Sequence, residues 1–185
     1  CLAPALASAV APLAGSYIDN RATVTYFDTD HGYNSTLYSN TVRVQVQPLE
    51  ALTLSLNQDI LRPAGGMAVL PRRLTNTGNV PSAYTLSYAN LASDGFDLTS
   101  LTMVRDDNGN GVADTVEVPI ANGATVTLAP GKTLDVVIWG VVPSTVPAGT
   151  IAGVRLTAVT SLQNTSAVNT DTTTVADGAM FQLAK

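Results

Sequence analysis

The richest concentration of metal-binding chemistry in this sequence is Asp106-Asp107-Asn108-Gly109-Asn110-Gly111-Val112-Ala113-Asp114-Thr115-Val116-Glu117. Numbered from Asp106, oxygen-bearing side chains stand at loop positions one, three, five, nine and twelve, with glycine at position six. A twelve-residue calcium loop has that register. Ca²⁺ is a hard cation that takes about six to eight oxygen ligands. Asp106, Asn108 and Asn110 supply three, the carbonyl of Val112 a fourth, and Asp114 a fifth, directly or through water. Glu117 supplies one or two more. Gly111 allows the sharp turn that lets alternate residues point inward. The competing reading is an Asn/Gly-rich turn that binds nothing, since these residues favour turns for steric reasons alone.

The elements that position the loop are strands. Residues 101–105 and 116–120 alternate or are β-branched, so a loop between two strands is expected rather than the two helices of an EF-hand. Glu117 falls where the second of these strands begins, so its return toward the loop is the weakest part of the pattern. Elsewhere, alternating runs at 20–28, 39–47, 51–57, 67–74, 83–88, 98–105, 124–128, 150–160 and 167–175 read as strands. The first two form a long hairpin with one wet face, Val42, Val44 and Val46 opposing Arg43, Gln45 and Gln47. Residues 133–142 hold Trp139 in an apolar run expected of a central strand buried on both faces. Turn signals recur every ~8–12 residues, the spacing of a sandwich, and no helical pattern appears.

Composition limits the function classes. The chain has 185 residues, 45% hydrophobic and only 12% charged, enough to bury a core. Nine Lys+Arg and a net charge of -5 argue against nucleic acid and anionic lipid. The one cysteine, Cys1, excludes an internal disulfide. Residues 1–15 are apolar, with three readings: a signal-peptide tail cleaved after Ala9, a mature N-terminus lipidated at Cys1, or an arm that adds to another subunit. A membrane enters only through a lipidated Cys1.

Catalysis finds little to work with. His31, the single histidine, lies in a turn beside Asp28 and Asp30. Asp28-Thr29-Asp30 offers too few oxygens for a second cation. No nucleophile, base and orienting group assemble from spacing, and Asp94 and Asp97 read as surface turns. The chain is therefore expected not to be an enzyme. Asn34-Ser35-Thr36 and Asn164-Thr165-Ser166 match the N-glycosylation pattern as surface sites. Lys132 is expected at the surface, away from any isopeptide staple.

Five runs carry a resemblance: Asn20-Arg21-Ala22-Thr23-Val24-Thr25-Tyr26, Ser39-Asn40-Thr41-Val42, Leu74-Thr75-Asn76-Thr77-Gly78-Asn79, Asp107-Asn108-Gly109-Asn110-Gly111 and Leu128-Ala129-Pro130-Gly131. In this order they resemble the conserved-repeat, immunoglobulin-like domains of bacterial and archaeal surface proteins, over most of residues 20–185. The resemblance implies an all-β, immunoglobulin-like β-sandwich with a structural or adhesive role outside the cell. The expected organisation is an apolar arm (1–16), a β-hairpin extension (17–48), the sandwich (49–176) and a C-terminal strand (177–185). Residues 179–185 look like the first strand of a further domain. Open strand edges recruit partners, so the expected function is a secreted, Ca²⁺-stabilised fibre or pilus-like subunit. It assembles with itself, head-to-tail, by strand complementation through its termini. The alternative is a monomeric surface lipoprotein or adhesin module.

Overall fold

The computed structural model describes residues 11–55 and 57–178. Of the expected apolar arm (1–16) and C-terminal strand (177–185), residues 1–10 and 179–185 lie outside the described residues. The chain divides into two compact units, Cys1–Leu49 and Glu50–Lys185.

The first unit is a two-stranded ribbon in two segments. β1 (Tyr17–Asn20) pairs with β4 (Val42–Gln45), and β2 (Thr23–Asp28) pairs with β3 (Tyr33–Tyr38), both antiparallel. This corrects the hairpin expected from sequence. The partner of the 23–28 run is Tyr33–Tyr38. The Val42–Gln45 run instead pairs with Tyr17–Asn20. A register step of one residue separates the segments, where Ser39 N donates to Ala22 O (3.0 Å) and Ala22 N to Ser39 Oγ (2.9 Å). Two of the five resembling runs thus meet at one point.

The second unit is a sandwich of two five-stranded sheets. One runs β10 (Pro119–Ile120), β9 (Thr99–Arg105), β12 (Thr133–Val141), β7 (Met67–Asn76), β5 (Leu52–Ser55). The other runs β11 (Ala124–Leu128), β8 (Ser82–Asn90), β13 (Ile151–Thr160), β14 (Ser166–Val175), β6 (Asp59–Arg62). All pairs are antiparallel except β14 with β6. Taking β5, β7, β8, β9, β12, β13 and β14 as A to G gives ABED in one sheet and CFG in the other, the immunoglobulin arrangement. The fold is an all-β, immunoglobulin-like sandwich.

Alternation explains the core. Leu70 and Leu74, Tyr84 and Leu86, Val136 and Ile138, Val154 and Leu156 point between the sheets and are at most 1% exposed. One strand inverts the rule: β14 turns Asn169, Asp171 and Thr173 inward while Val168 is 56% exposed. Asp171 meets the equally buried Arg72 of β7, so an ion pair spans the two sheets. Burial pushes the Arg72 guanidinium down to about 10, which still leaves it charged at neutral pH. Asp171 Oδ1 also accepts from Gln58 N (2.8 Å), and Gln58 Nε2 donates to Pro71 O (2.8 Å), fixing the crossing from β5 to β6.

The Asn76 side chain is fully used. Its Nδ2 donates to Val80 O and Leu128 O (both 2.9 Å), and its Oδ1 accepts from Gly78 N. Gly131 N donates to Asn76 O, so two more of the resembling runs meet here.

Candidate metal centre

β9 and β10 are antiparallel neighbours, with Val104 opposite Pro119 and Met103 opposite Ile120. Residues 106–118 are the excursion between them. The loop is tied at its root by Asp106 N donating to Asp135 O (3.0 Å) on β12 and Arg105 N donating to Val118 O (2.9 Å). Its tip lies over the outer face of the first sheet, where Gly111 rests against Pro71 of β7. Gly111 has φ +72°, the left-handed conformation expected at loop position six.

Five of the six candidate ligands are joined by side-chain hydrogen bonds. Asp106 Oδ1 and Oδ2 accept from Asn110 N (3.1 Å) and Gly111 N (2.9 Å). Asn108 Oδ1 accepts from Asn110 N (2.9 Å), and Asn110 Oδ1 from Val112 N (2.8 Å). The two amide Nδ2 groups of Asn108 and Asn110 both donate to Asp114 Oδ2 (2.8 Å each). They thereby supply the positive partner that a cation at the centre supplies by charge. Val112 joins through its N–H, and no observed contact engages its carbonyl.

Glu117 settles against the loop. Its Oε2 accepts from Asp114 N (3.0 Å), and the side chain is 7% exposed. The strand expected from residue 116 does not form: β10 begins at Pro119, and Val116 and Val118 are 86% and 61% exposed. Residues 115–117 turn instead and carry the carboxylate back. Glu117 Oε1 is buried with no hydrogen-bond partner among the described residues. A buried, unpaired carboxylate oxygen is costly and calls for a cation or a donor. The oxygens present therefore fit a hard cation. Among the described residues no three His, Cys, Asp or Glu side chains form a metal-binding group by themselves. A cation here depends on the oxygens of Asn108, Asn110 and Val112 as much as on carboxylates.

The loop also explains β12. On the outer face of the sheet Val137 is opposite Val104, yet they are 0% and 6% exposed. Burial on both faces, expected from sequence, holds at Val137 but not at Trp139, which is only partly buried. Trp139 lines a cleft of about 350 Å³ together with Asp114 and Glu117. Sequence reasoning missed this cleft because the loop's return path is set by tertiary packing, not by local pattern.

The other candidates have structural partners. His31 Nδ1 contacts Asp28 Oδ2 (3.1 Å) in the exposed ribbon turn. Asp94 Oδ2 accepts from Gly153 N (2.6 Å), tying a turn to β13, and Asp97 is exposed. Asn34, Asn164 and Lys132 are exposed. Sequence reasoning missed Glu50, whose buried Oε2 accepts from Leu162 N (3.1 Å) and Gln163 N (2.9 Å). Burial alone raises this carboxyl; the Gln163 amide and the neighbouring donors outweigh it and hold the group below its ordinary value.

No family model matches the chain, and no curated protein does. Among solved structures, the chain is similar to a family 123 glycoside hydrolase from Clostridium perfringens, at 12% identity and a TM-score of 0.45. That match covers 70% of this chain and 28% of the other, so the chain spans just over a quarter of that protein. It is also similar to PapD-like domain 7 of human CEP192, at 11% identity and TM-score 0.39, covering 69% of this chain and 87% of that domain. The periplasmic chaperone SfaE matches at 12% identity and TM-score 0.40, covering 71% of this chain and 60% of the chaperone.

Proposed function

We propose that this protein is a structural subunit of an extracellular fibre or pilus-like filament, built by strand complementation between copies and stabilised by Ca²⁺ in the 106–117 loop. One observation carries the assembly reading: the ribbon unit has no interior. Among residues 11–49 none is buried. Ile18, Val42 and Val44 share one face of β1–β4; Val24, Tyr26, Tyr33 and Leu37 share one face of β2–β3. All are between 45% and 59% exposed, and Phe27 and Tyr38 add to the opposite face. An isolated two-stranded ribbon is marginal in water, and among the described residues no third strand pairs with either of its edges.

The occupant that fits is a second copy of this chain. The ribbon carries three aspartates, Asp19, Asp28 and Asp30, against two arginines, Arg21 and Arg43. Arg43 is already paired with Asp19 (2.7 Å), and Arg21 lies over the Tyr38 ring (4.2 Å). So little charge suits neither nucleic acid nor anionic membrane, whereas Tyr- and Val-rich faces suit association of like with like. The motif order resembling surface-repeat domains supports an extracellular setting. The second reading, a surface-anchored binding module, is favoured by the Trp139 cleft.

Val24→Asp with Leu37→Asp tests the assembly reading. These positions are opposite each other, and each is more than half exposed. The double variant is expected to keep the wild-type melting transition and to sediment as a monomer where the wild type polymerises. Polymers of unchanged length would overturn the ribbon's part in assembly.

A further inference from the structure

Trp139 is the chain's single tryptophan, and it stands outside the core. On β12, Leu134, Val136 and Ile138 face inward, so Trp139 points to the outer face of its sheet. Thr102 is its direct neighbour on β9, and Met67 of β7 lies on the same face, 51% exposed. These three form the floor of the cleft. The wall is the calcium loop, through Asp114, Thr115 and Glu117. The volume of about 350 Å³ is at the small end of the range for small-molecule sites.

The two sides differ in chemistry. The floor is a partly exposed indole beside a methyl-rich surface. The wall presents the Asp114 carboxylate and the Thr115 hydroxyl, held by a loop in which Glu117 Oε1 is buried with no hydrogen-bond partner among the described residues. An apolar ligand leaves those oxygens desolvated without donors. An anionic ligand meets two carboxylates. A cationic ligand competes with the metal for the same oxygens. What remains is a neutral ligand with a C–H face for the electron-rich indole and O–H groups for the wall.

We infer that this cleft binds a neutral saccharide, one pyranose ring lying on Trp139 and its hydroxyls hydrogen-bonding Asp114 and Thr115. The inference rests on the calcium reading of the loop, because the ion would hold that wall in place. It gives the subunit an adhesive face as well as a structural one.

The test uses the full chain with Ca²⁺ alone, then with mannotriose, cellotriose and N,N′,N″-triacetylchitotriose at millimolar concentration. Calorimetry and Trp139 fluorescence are the readouts. The expected result is a calcium-dependent fluorescence change with at least one trisaccharide. Trp139→Leu is expected to weaken that saccharide about tenfold or more while calcium binds as before; Glu117→Gln is expected to weaken both. Calcium binding with no response to any of the three overturns the saccharide site and leaves the calcium reading standing. Absence of calcium binding overturns both. Saccharide binding that persists in chelator, or is indifferent to Trp139→Leu, places the ligand elsewhere and overturns the inference.

Discussion

At the scale of single residues, the loop's Asx turns are legible where side-chain type alone decides. Asp106, Asn108 and Asn110 each accept a loop N–H, as short Asx side chains at alternate positions do. Glu117 was less legible because Val116 and Val118 promise a strand that the fold does not build. If the loop binds calcium, Asp106→Ala lowers the melting temperature more in calcium than in chelator, where only its hydrogen bonds to Asn110 N and Gly111 N are lost. At a hundredfold excess over the dissociation constant, binding adds roughly 2.7 kcal/mol, or roughly 5–10 °C for a chain of this size. Scanning calorimetry of wild type and variant, in calcium and in chelator, measures the difference; equal loss in both removes the metal from the account. Glu50 makes a separate prediction. Its carboxyl titrates below the ordinary value of about 4.5, so its stabilisation is complete above that pH and is lost as pH falls through the depressed folded value. Glu50→Gln is expected to cost about 1–3 kcal/mol at neutral pH and to flatten the acid limb of stability against pH. An unchanged acid limb would show that Glu50 is not its source.

At the scale of elements, period-two alternation located most strands. β11 was placed at its observed limits, and β7, β8, β12, β13 and β14 to within a few residues. The misses have physical causes. β6 pairs in parallel with β14 through a crossing held by Gln58 and Asp171, and no local pattern encodes such a partner. In β14 the buried row is Asn169, Asp171, Thr173 and Val175, and hydrophobicity does not assign its three polar members to the core. Arg72 and Asp171 satisfy each other between the sheets, so removing one leaves a buried charge. Arg72→Ala is expected to destabilise the sandwich by about 3–5 kcal/mol. Arg72→Met with Asp171→Leu is expected to cost far less, despite changing two core positions. Denaturant midpoints decide this; a double variant as unstable as the single one would mean that the cross-sheet pair does more than cancel its own burial cost.

At the scale of the whole molecule, the sequence announced a β-sandwich and an N-terminal extension, and the chain divides at Leu49 and Glu50. What it did not announce is how differently the two units treat their apolar residues. Every residue of the core cluster comes from the sandwich, whereas the ribbon holds four of the six tyrosines, Tyr17, Tyr26, Tyr33 and Tyr38, all 45% exposed or more. Alternation reads the same in a strand that packs and in one whose faces stay exposed, so the sequence pattern could not tell them apart. The self-assembly account turns on this contrast. Its most direct test is negative-stain electron microscopy of the full chain, with calcium and with chelator. The account predicts regular filaments in calcium that shorten or disperse in chelator. Discrete globular particles in both conditions would contradict it.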